Sequence, residues 1–319
     1  MFHRPLAALL AVLALVLAGC GEESESSAPQ QPTSSAVAET APAEPEFPVT
    51  VEADNGPVTL EEEPDAVVSL SATATESLFA LGAGDQVLAV DDQSNYPADA
   101  PMTDLSGFQP NVEAIAGYEP DLVIAAYDPG GLVKALEKVG IPVLLQDAAP
   151  DLDAAFAQIE TLGAATGHVE EAQDVADDME EQIDELIASA PDTADGATVY
   201  HELGPDFFSA TSATFIGSIY ERLGLENIAD EAKKAGTGYP QLSAEYIVKA
   251  DPDLIVLADT KCCGQTAALV AKRPGWKGVT AVTGDDVVEA SDDITSRWGP
   301  RTVDFVALVV EALEGVEAG

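Results

Sequence analysis

The sequence predicts an α/β protein of two lobes with mainly parallel sheets, joined by one long backbone helix and leaving a cleft between the lobes. Three observations carry this. Short apolar runs bounded by turn residues alternate with stretches of helical spacing, the pattern of parallel strands covered by helices. A long helical periodicity without proline separates two such series. Part of the first series also recurs in the second: Asn111-Val112-Glu113-Ala114-Ile115 leads to Glu119-Pro120-Asp121-Leu122-Val123-Ile124, and 132 residues on Ser243-Ala244-Glu245-Tyr246-Ile247 leads to Asp251-Pro252-Asp253-Leu254-Ile255-Val256. Each copy reads as a capped short helix, a proline stop and a buried strand. Two similar halves leave a seam between them, a usual place for a ligand.

In the first lobe (47–168), Val67-Val68-Ser69-Leu70 predicts a buried strand, 74–81 a helix stopped by Gly82-Ala83-Gly84, and 87–90 a second strand. Strands at 121–126 and 142–145 flank a helix at 132–139 that Gly140 ends. From 152 to 186 there is no proline and only Gly163 and Gly167 interrupt, so one long helix is expected from about Glu170 and the connector is assigned to 169–190. Its apolar residues Ala172, Val175, Ala176, Met179, Ile183, Leu186 and Ile187 recur at three and four, while acidic residues fill the other face, which is therefore solvated. In the second lobe (191–319), strands at 198–200, 254–257 and 287–290 alternate with helices at 215–223 and about 303–313.

Against 13 Lys and Arg stand 57 Asp and Glu, a net charge of −44. That field repels phosphate backbones and anionic lipid, which excludes nucleic acid as a partner and requires another source for any membrane attachment. The N-terminus offers one. Residues 1–19 read as a signal peptide, with His3 and Arg4 before an apolar run at 6–17 that is too short to span a bilayer. The run ends at Leu17-Ala18-Gly19-Cys20, which resembles the lipobox of bacterial lipoproteins and implies an acylated Cys20 tethering the chain outside the membrane. From 20 to 46 the lipidated cysteine is followed by a flexible linker whose six glutamates keep it extended. Apart from Cys20 only the adjacent Cys262 and Cys263 remain, so no long-range disulfide framework is possible. A vicinal disulfide is the favoured reading, and a free dithiol the other.

The motifs in order resemble the substrate-binding proteins of ABC importers for metal chelates, over about residues 60–315. The resemblance rests on Val68-Ser69-Leu70-Ser71-Ala72-Thr73-Ala74-Thr75-Glu76, Phe79-Ala80-Leu81-Gly82, Asn95-Tyr96-Pro97, Asn111-Val112-Glu113, Pro120-Asp121-Leu122-Val123-Ile124, Pro252-Asp253-Leu254-Ile255 and Ser296-Arg297-Trp298-Gly299-Pro300-Arg301. It implies a rigid two-lobed binding protein, extracytoplasmic and lipid-anchored, that acts as a monomer. Cobalamin, a ferric siderophore or haem would be the cargo, and permease and ATPase subunits the partners. No resident cofactor and no enzymatic activity are expected. The resemblance also assigns one glutamate per lobe, Glu113 and Glu245, to docking on permease arginines, although a carboxylate in a first helical turn is favoured by the helix dipole alone.

The cleft-facing loops supply the candidate cargo residues: Asn95, Tyr96, Phe108, Tyr127, Glu202, Phe207, Asp293, Arg297, Trp298 and Arg301. Aromatic faces can cover a flat chelate while a few charges orient its rim. The cobalamin-binding branch of the family has an Asp and an Arg four apart before its last helix, where this chain has Asp293 and Arg297. That branch places tryptophans where this chain has Gly107 and Ala126. Arg297 and Arg301 are two of only four arginines beyond the signal, which suggests recognition of a carboxylate or phosphate, with internal salt bridges as the competing use. Trp298 has core packing as its alternative. No protein metal site is expected, because only His168 and His201 follow the signal. A ligand-sensing surface lipoprotein on the same scaffold is the alternative function. An exported hydrolase is disfavoured by the lack of a G-x-S-x-G elbow.

Overall fold

A computed structural model describes residues 47–232 and 238–316. The signal segment, Cys20 and the acidic linker lie outside the described residues. The described chain begins with an antiparallel hairpin that the apolar pattern did not announce, β1 (Val49–Ala53) and β2 (Gly56–Leu60). Its turn is tied to the first lobe because Asn55 Nδ2 donates to the Val143 carbonyl at 2.9 Å and Asn55 Oδ1 accepts from the Leu145 amide at 3.1 Å.

The first lobe then runs β3 (Val67–Leu70), α1 (Ala72–Ala80), β4 (Val87–Asp91), β5 (Met102–Leu105), α2 (Val112–Ala116), β6 (Leu122–Ala125), α3 (Leu132–Glu137) and β7 (Val143–Leu145). These strands form one parallel sheet in the order β5-β4-β3-β6-β7. Every residue of β3, β6 and β7 is buried, as expected of parallel strands covered on both faces. Two helices follow, α4 (Leu152–Thr166) and α5 (Val169–Ser189). Gly163 does not break α4, contrary to the sequence reading. Its bare Cα lets α5 fold back closely, since a Cβ there would collide with Ala172 Cβ and lie 2.6 Å from the His168 carbonyl oxygen. Gly167, at φ +84°, makes the turn.

The second lobe contains β8 (Thr198–Glu202), α6 (Phe215–Arg222), β9 (Glu226–Asn227), α7 (Ala244–Ala250), β10 (Leu254–Leu257), α8 (Thr260–Cys263), α9 (Ala267–Val270), α10 (Thr280–Thr283), β11 (Val287–Glu289), α11 (Asp292–Thr295) and α12 (Thr302–Leu313). Its parallel sheet has the order β11-β10-β8-β9. Elements read from the sequence depart from these bounds by a residue or two.

The internal repeat is structural as well as sequential. Asn111 Oδ1 caps α2 by accepting from the Glu113 and Ala114 amides, and Ser243 Oγ caps α7 by accepting from the Tyr246 amide. Glu119 and Asp251 both adopt positive φ, 54° and 52°, just before their prolines. Asp121 and Asp253 then reach the neighbouring strand: Asp121 Oδ2 accepts from the Asp65 and Ala66 amides, and Asp253 Oδ2 from the Thr198 amide and hydroxyl. The shared Pro-Asp-Leu is thus a device that starts one buried strand and pins the entry of the next.

One apolar core runs from the first sheet to the second. It takes Val67, Leu122 and Ile124 from one, Val199, Leu254 and Val256 from the other, and between them Leu78, Ile159, Met179, Ile219 and Phe305 from α1, α4, α5, α6 and α12. Smaller clusters back the outer faces, around Leu132 and Leu136 in the first lobe and around Tyr200 and Trp276 in the second. This shared core ties the two sheets together through close-packed side chains.

Candidate ligand-binding cleft

In an open α/β sheet, ligands settle beyond the carboxyl ends of the strands. There, Leu70, Asp91, Gly107 and Ala126 of the first lobe meet Asp292, Asp293, Arg297 and Trp298 of the second around a cavity of about 250 Å³. Phe108 and Tyr127 form its aromatic wall, with ring centroids 5.3 Å apart, and both stay largely exposed at 60% and 44%. Burial, assisted by the Asp147 carboxylate, pushes the Tyr127 phenol above its ordinary range. Burial likewise raises the Asp91 carboxyl, although Ser94 Oγ donates to it at 2.7 Å. Gly107 lies so close to the Leu70 carbonyl oxygen that a Cβ would stand 2.6 Å from it, so the backbone leaves no space for a side chain there.

The floor of the seam is ionic. Glu76 of α1 is buried, and its carboxylate accepts from Arg297 Nη1 at 2.6 Å and from Arg301 Nε and Nη2 at 2.8 and 2.5 Å. Arg297 also donates to Asn95 Oδ1, the Gln93 carbonyl and Asp293 Oδ1. Burial works to raise the Asp293 carboxyl, but Lys261, Arg297 and Asn95 together outweigh it and hold the group below the usual carboxylate range. Arg301 stacks over Tyr96, 4.3 Å from its centroid, in an adjoining hollow with Phe79 and Pro97.

These contacts revise the sequence expectations for several residues. Arg297 and Arg301 make the internal salt bridge that the sequence offered as the competing use, on Glu76, while Arg297 also lines the cavity. Trp298 is 9% exposed, and its indole Nε1 donates to Gln158 Oε1 at 2.7 Å, so most of the ring belongs to the inner core and only an edge reaches the cavity. Glu202 is fully buried, with its two carboxylate oxygens bound by Arg273 at 2.6 and 2.5 Å. Phe207 stacks on Trp276 beneath that same guanidinium. Neither Glu202 nor Phe207 lines the cavity: Glu202 is held by Arg273, and Phe207, in the loop after β8, packs on Trp276. Phe108, Tyr127 and Asp293 do line it, and Asn95 and Tyr96 stand on its ionic border.

Sequence reasoning missed Glu76, although an acid alone on an otherwise uncharged helix was a visible signal. It also missed Tyr239 and Phe208, which are exposed at 41% and 44%. Burial, with the neighbouring Tyr127, raises the Tyr239 phenol. Asp259 was missed as well. It follows β10, is fully buried, and has both carboxylate oxygens without a hydrogen-bond partner. Burial, reinforced by Glu202, raises its carboxyl to about 7.

Glu113 and Glu245 are exposed in the first turns of α2 and α7. Cys262 and Cys263 form a disulfide on α8. His201 is buried with Nδ1 2.7 Å from the Tyr220 hydroxyl, and burial lowers its imidazole to about 3, so it is neutral. Among the described residues, no group of three or more His, Cys, Asp or Glu is placed to hold a metal, and no helix is long and apolar enough to cross a membrane.

Comparison with known proteins agrees with this architecture. Residues 67–294 match the family model described as periplasmic binding protein. The uncharacterised ABC transporter substrate-binding lipoprotein YvrC of Bacillus subtilis is 31% identical over 96% of this chain and 95% of its own length. A cobalamin-binding protein of Halobacterium salinarum is 33% identical over 97% of this chain and 85% of its own. The crystal structure of the periplasmic vitamin B12-binding protein BtuF of Vibrio cholerae has a TM-score of 0.65 at 24% identity, covering 79% of this chain and 97% of that one.

Proposed function

Because this chain belongs to the periplasmic binding protein family, we propose that it captures a metal chelate, foremost a corrinoid, between its lobes and delivers it unchanged to an ABC permease with its ATPase subunits. The observation that carries the reading is the exposed Phe108–Tyr127 stack beside Asp293 and Arg297 at the carboxyl ends of a parallel sheet. Exposed aromatics are costly to leave in water and match the faces of a flat, bulky cargo. At about 250 Å³, the cavity falls below the roughly 300–1,000 Å³ of a fully enclosing site. A chelate of this class would therefore seat one edge in it and fill the open mouth between Tyr127 and Tyr239. The cobalamin-binding relative favours a corrinoid. Haem and ferric siderophores are the remaining chelates, and ligand sensing without transport is the alternative role. Catalysis is not part of the reading, since the family binds and His201 is a neutral core group. Tethering through an acylated Cys20 would hold a monomeric body at the outer face of the membrane.

Equilibrium dialysis against aquocobalamin, haemin and a ferric siderophore tests the cargo: one of them binds below about 10 μM, a free energy near −7 kcal/mol, and failure of all three contradicts the reading. Delivery has its own test. Equivalent placement of Glu113 and Glu245 in the two lobes suits a two-fold permease surface. The double substitution Glu113→Ala, Glu245→Ala is expected to abolish uptake of labelled cargo in cells while leaving its affinity for the isolated protein unchanged. Normal uptake by the double variant would remove the docking role.

A further inference from the structure

The Cys262–Cys263 pair is exposed, and it lies between the side chains that support both charged clusters of the second lobe. On its N-terminal side, Lys261 Nζ donates to Asp293 Oδ2 at 2.7 Å, and Asp293 carries the link on to Arg297 and Asn95 of the seam. On its C-terminal side, Gln265 Oε1 accepts from Arg273 Nη2 at 2.9 Å, and Arg273 holds the buried Glu202. The pair itself is fastened to the cleft wall, because the Cys262 amide donates to Asp292 Oδ2 at 2.7 Å and the Lys261 amide to Asp292 Oδ1 at 2.9 Å. Asp292 and Asp293 both line the cavity. A four-residue helix has little stability of its own, so the order of this segment depends on such tethers.

We propose that Cys262–Cys263 is a redox-sensitive site at which an external dithiol sets the order of the cleft's second-lobe wall. A thiolate of the dithiol attacks one Sγ, and the other sulfur leaves as a thiolate and takes a proton. The second thiol of the reagent then displaces the mixed disulfide. The protein gains two electrons and two protons as two thiols, and the reagent closes to its own disulfide. Opening the ring returns backbone freedom to residues whose amides must stay fixed on Asp292, and that entropy works against the ordered wall. Access is direct, because both cysteines are exposed.

The test uses the full chain and needs no cargo, so its outcome is independent of the cargo assignment. In protein isolated without reductant, alkylation under denaturing conditions leaves the 262–263 peptide unmodified, and prior treatment with dithiothreitol adds two alkyl groups there. Peptide mapping separates these from Cys20. In the native state, reduction accelerates amide hydrogen exchange at 260–265 and 291–297 by about tenfold or more, reoxidation reverses it, and amides of α1 and α4 are unchanged. Two alkylatable thiols at 262–263 before reduction, exchange unaffected by redox state, or acceleration spread over the whole chain would each overturn the proposal.

Discussion

Glu76→Ala is expected to destabilise the folded protein by about 3–5 kcal/mol, the cost of removing one partner from a buried ionic cluster, because Arg301 loses its carboxylate and Arg297 keeps only Asp293 as a counter-charge. The side chains of Glu76, Arg297 and Arg301 are 1%, 9% and 19% exposed, so the two guanidinium groups cannot recover water in place of the lost carboxylate. Glu76 comes from α1 of the first lobe, whereas both arginines precede α12 of the second, so the cost falls on the seam itself. Glu76→Gln keeps the shape and one acceptor oxygen and should lose less. Lys261→Ala is the control: its pair with Asp293 is 56% exposed on the lysine side, and surface pairs contribute about 0–1 kcal/mol. Urea unfolding at constant salt reads all three. A Glu76→Ala cost no larger than the lysine control would mean that the seam is not held by this carboxylate.

Asp259→Asn should stabilise the protein in a pH-dependent way. Below about 3.8 the carboxyl is protonated in both the folded and unfolded chain and contributes no difference. Between 3.8 and about 7 the unfolded chain releases the proton while the folded chain keeps it. The native state then binds more protons, so stability from this position falls as pH rises through that window, and the loss is complete above about 7. The span corresponds to at most about 4 kcal/mol. Asparagine cannot ionise, so its advantage over the parent grows from pH 4 to 7 and is flat beyond. Carboxylates remote from Asp259 titrate alike in both proteins and cancel in the difference. Parallel stability curves for parent and variant across pH 4–8 would show that Asp259 is not held neutral.

The repeat around Glu113 and Glu245 shows how much of the fold was legible in the sequence. Capping residues, prolines and fully apolar strands act locally, so α2, β6, α7 and β10 are read directly from their own residues. β5 carries only Met102 and Leu105 as apolar residues, and β9 is two residues long, so neither has a pattern to read. The candidate site was legible only in part. Tyr127 and Asp293 follow strands that the sequence locates, whereas Phe108 follows the unread β5. The partners of Arg297 and Arg301 depend on a contact over 221 and 225 residues of chain, which no spacing rule encodes. Glu202, read as a cleft-facing loop residue, instead ends β8, and its side chain is held by Arg273, 71 residues away.

Titration of aquocobalamin into the parent protein and into Phe108→Ala, Tyr127→Ala bears most directly on the cleft as the place where cargo is held. Corrin absorbance and quenching of Trp298 fluorescence follow the binding. Truncating two exposed aromatics removes contact surface without touching the inner core, so the double variant should fold normally and bind at least about 30-fold more weakly, a loss near 2 kcal/mol. Equal affinity in parent and variant, or no binding by either of them to aquocobalamin or to haemin, would contradict a chelate gripped between the lobes.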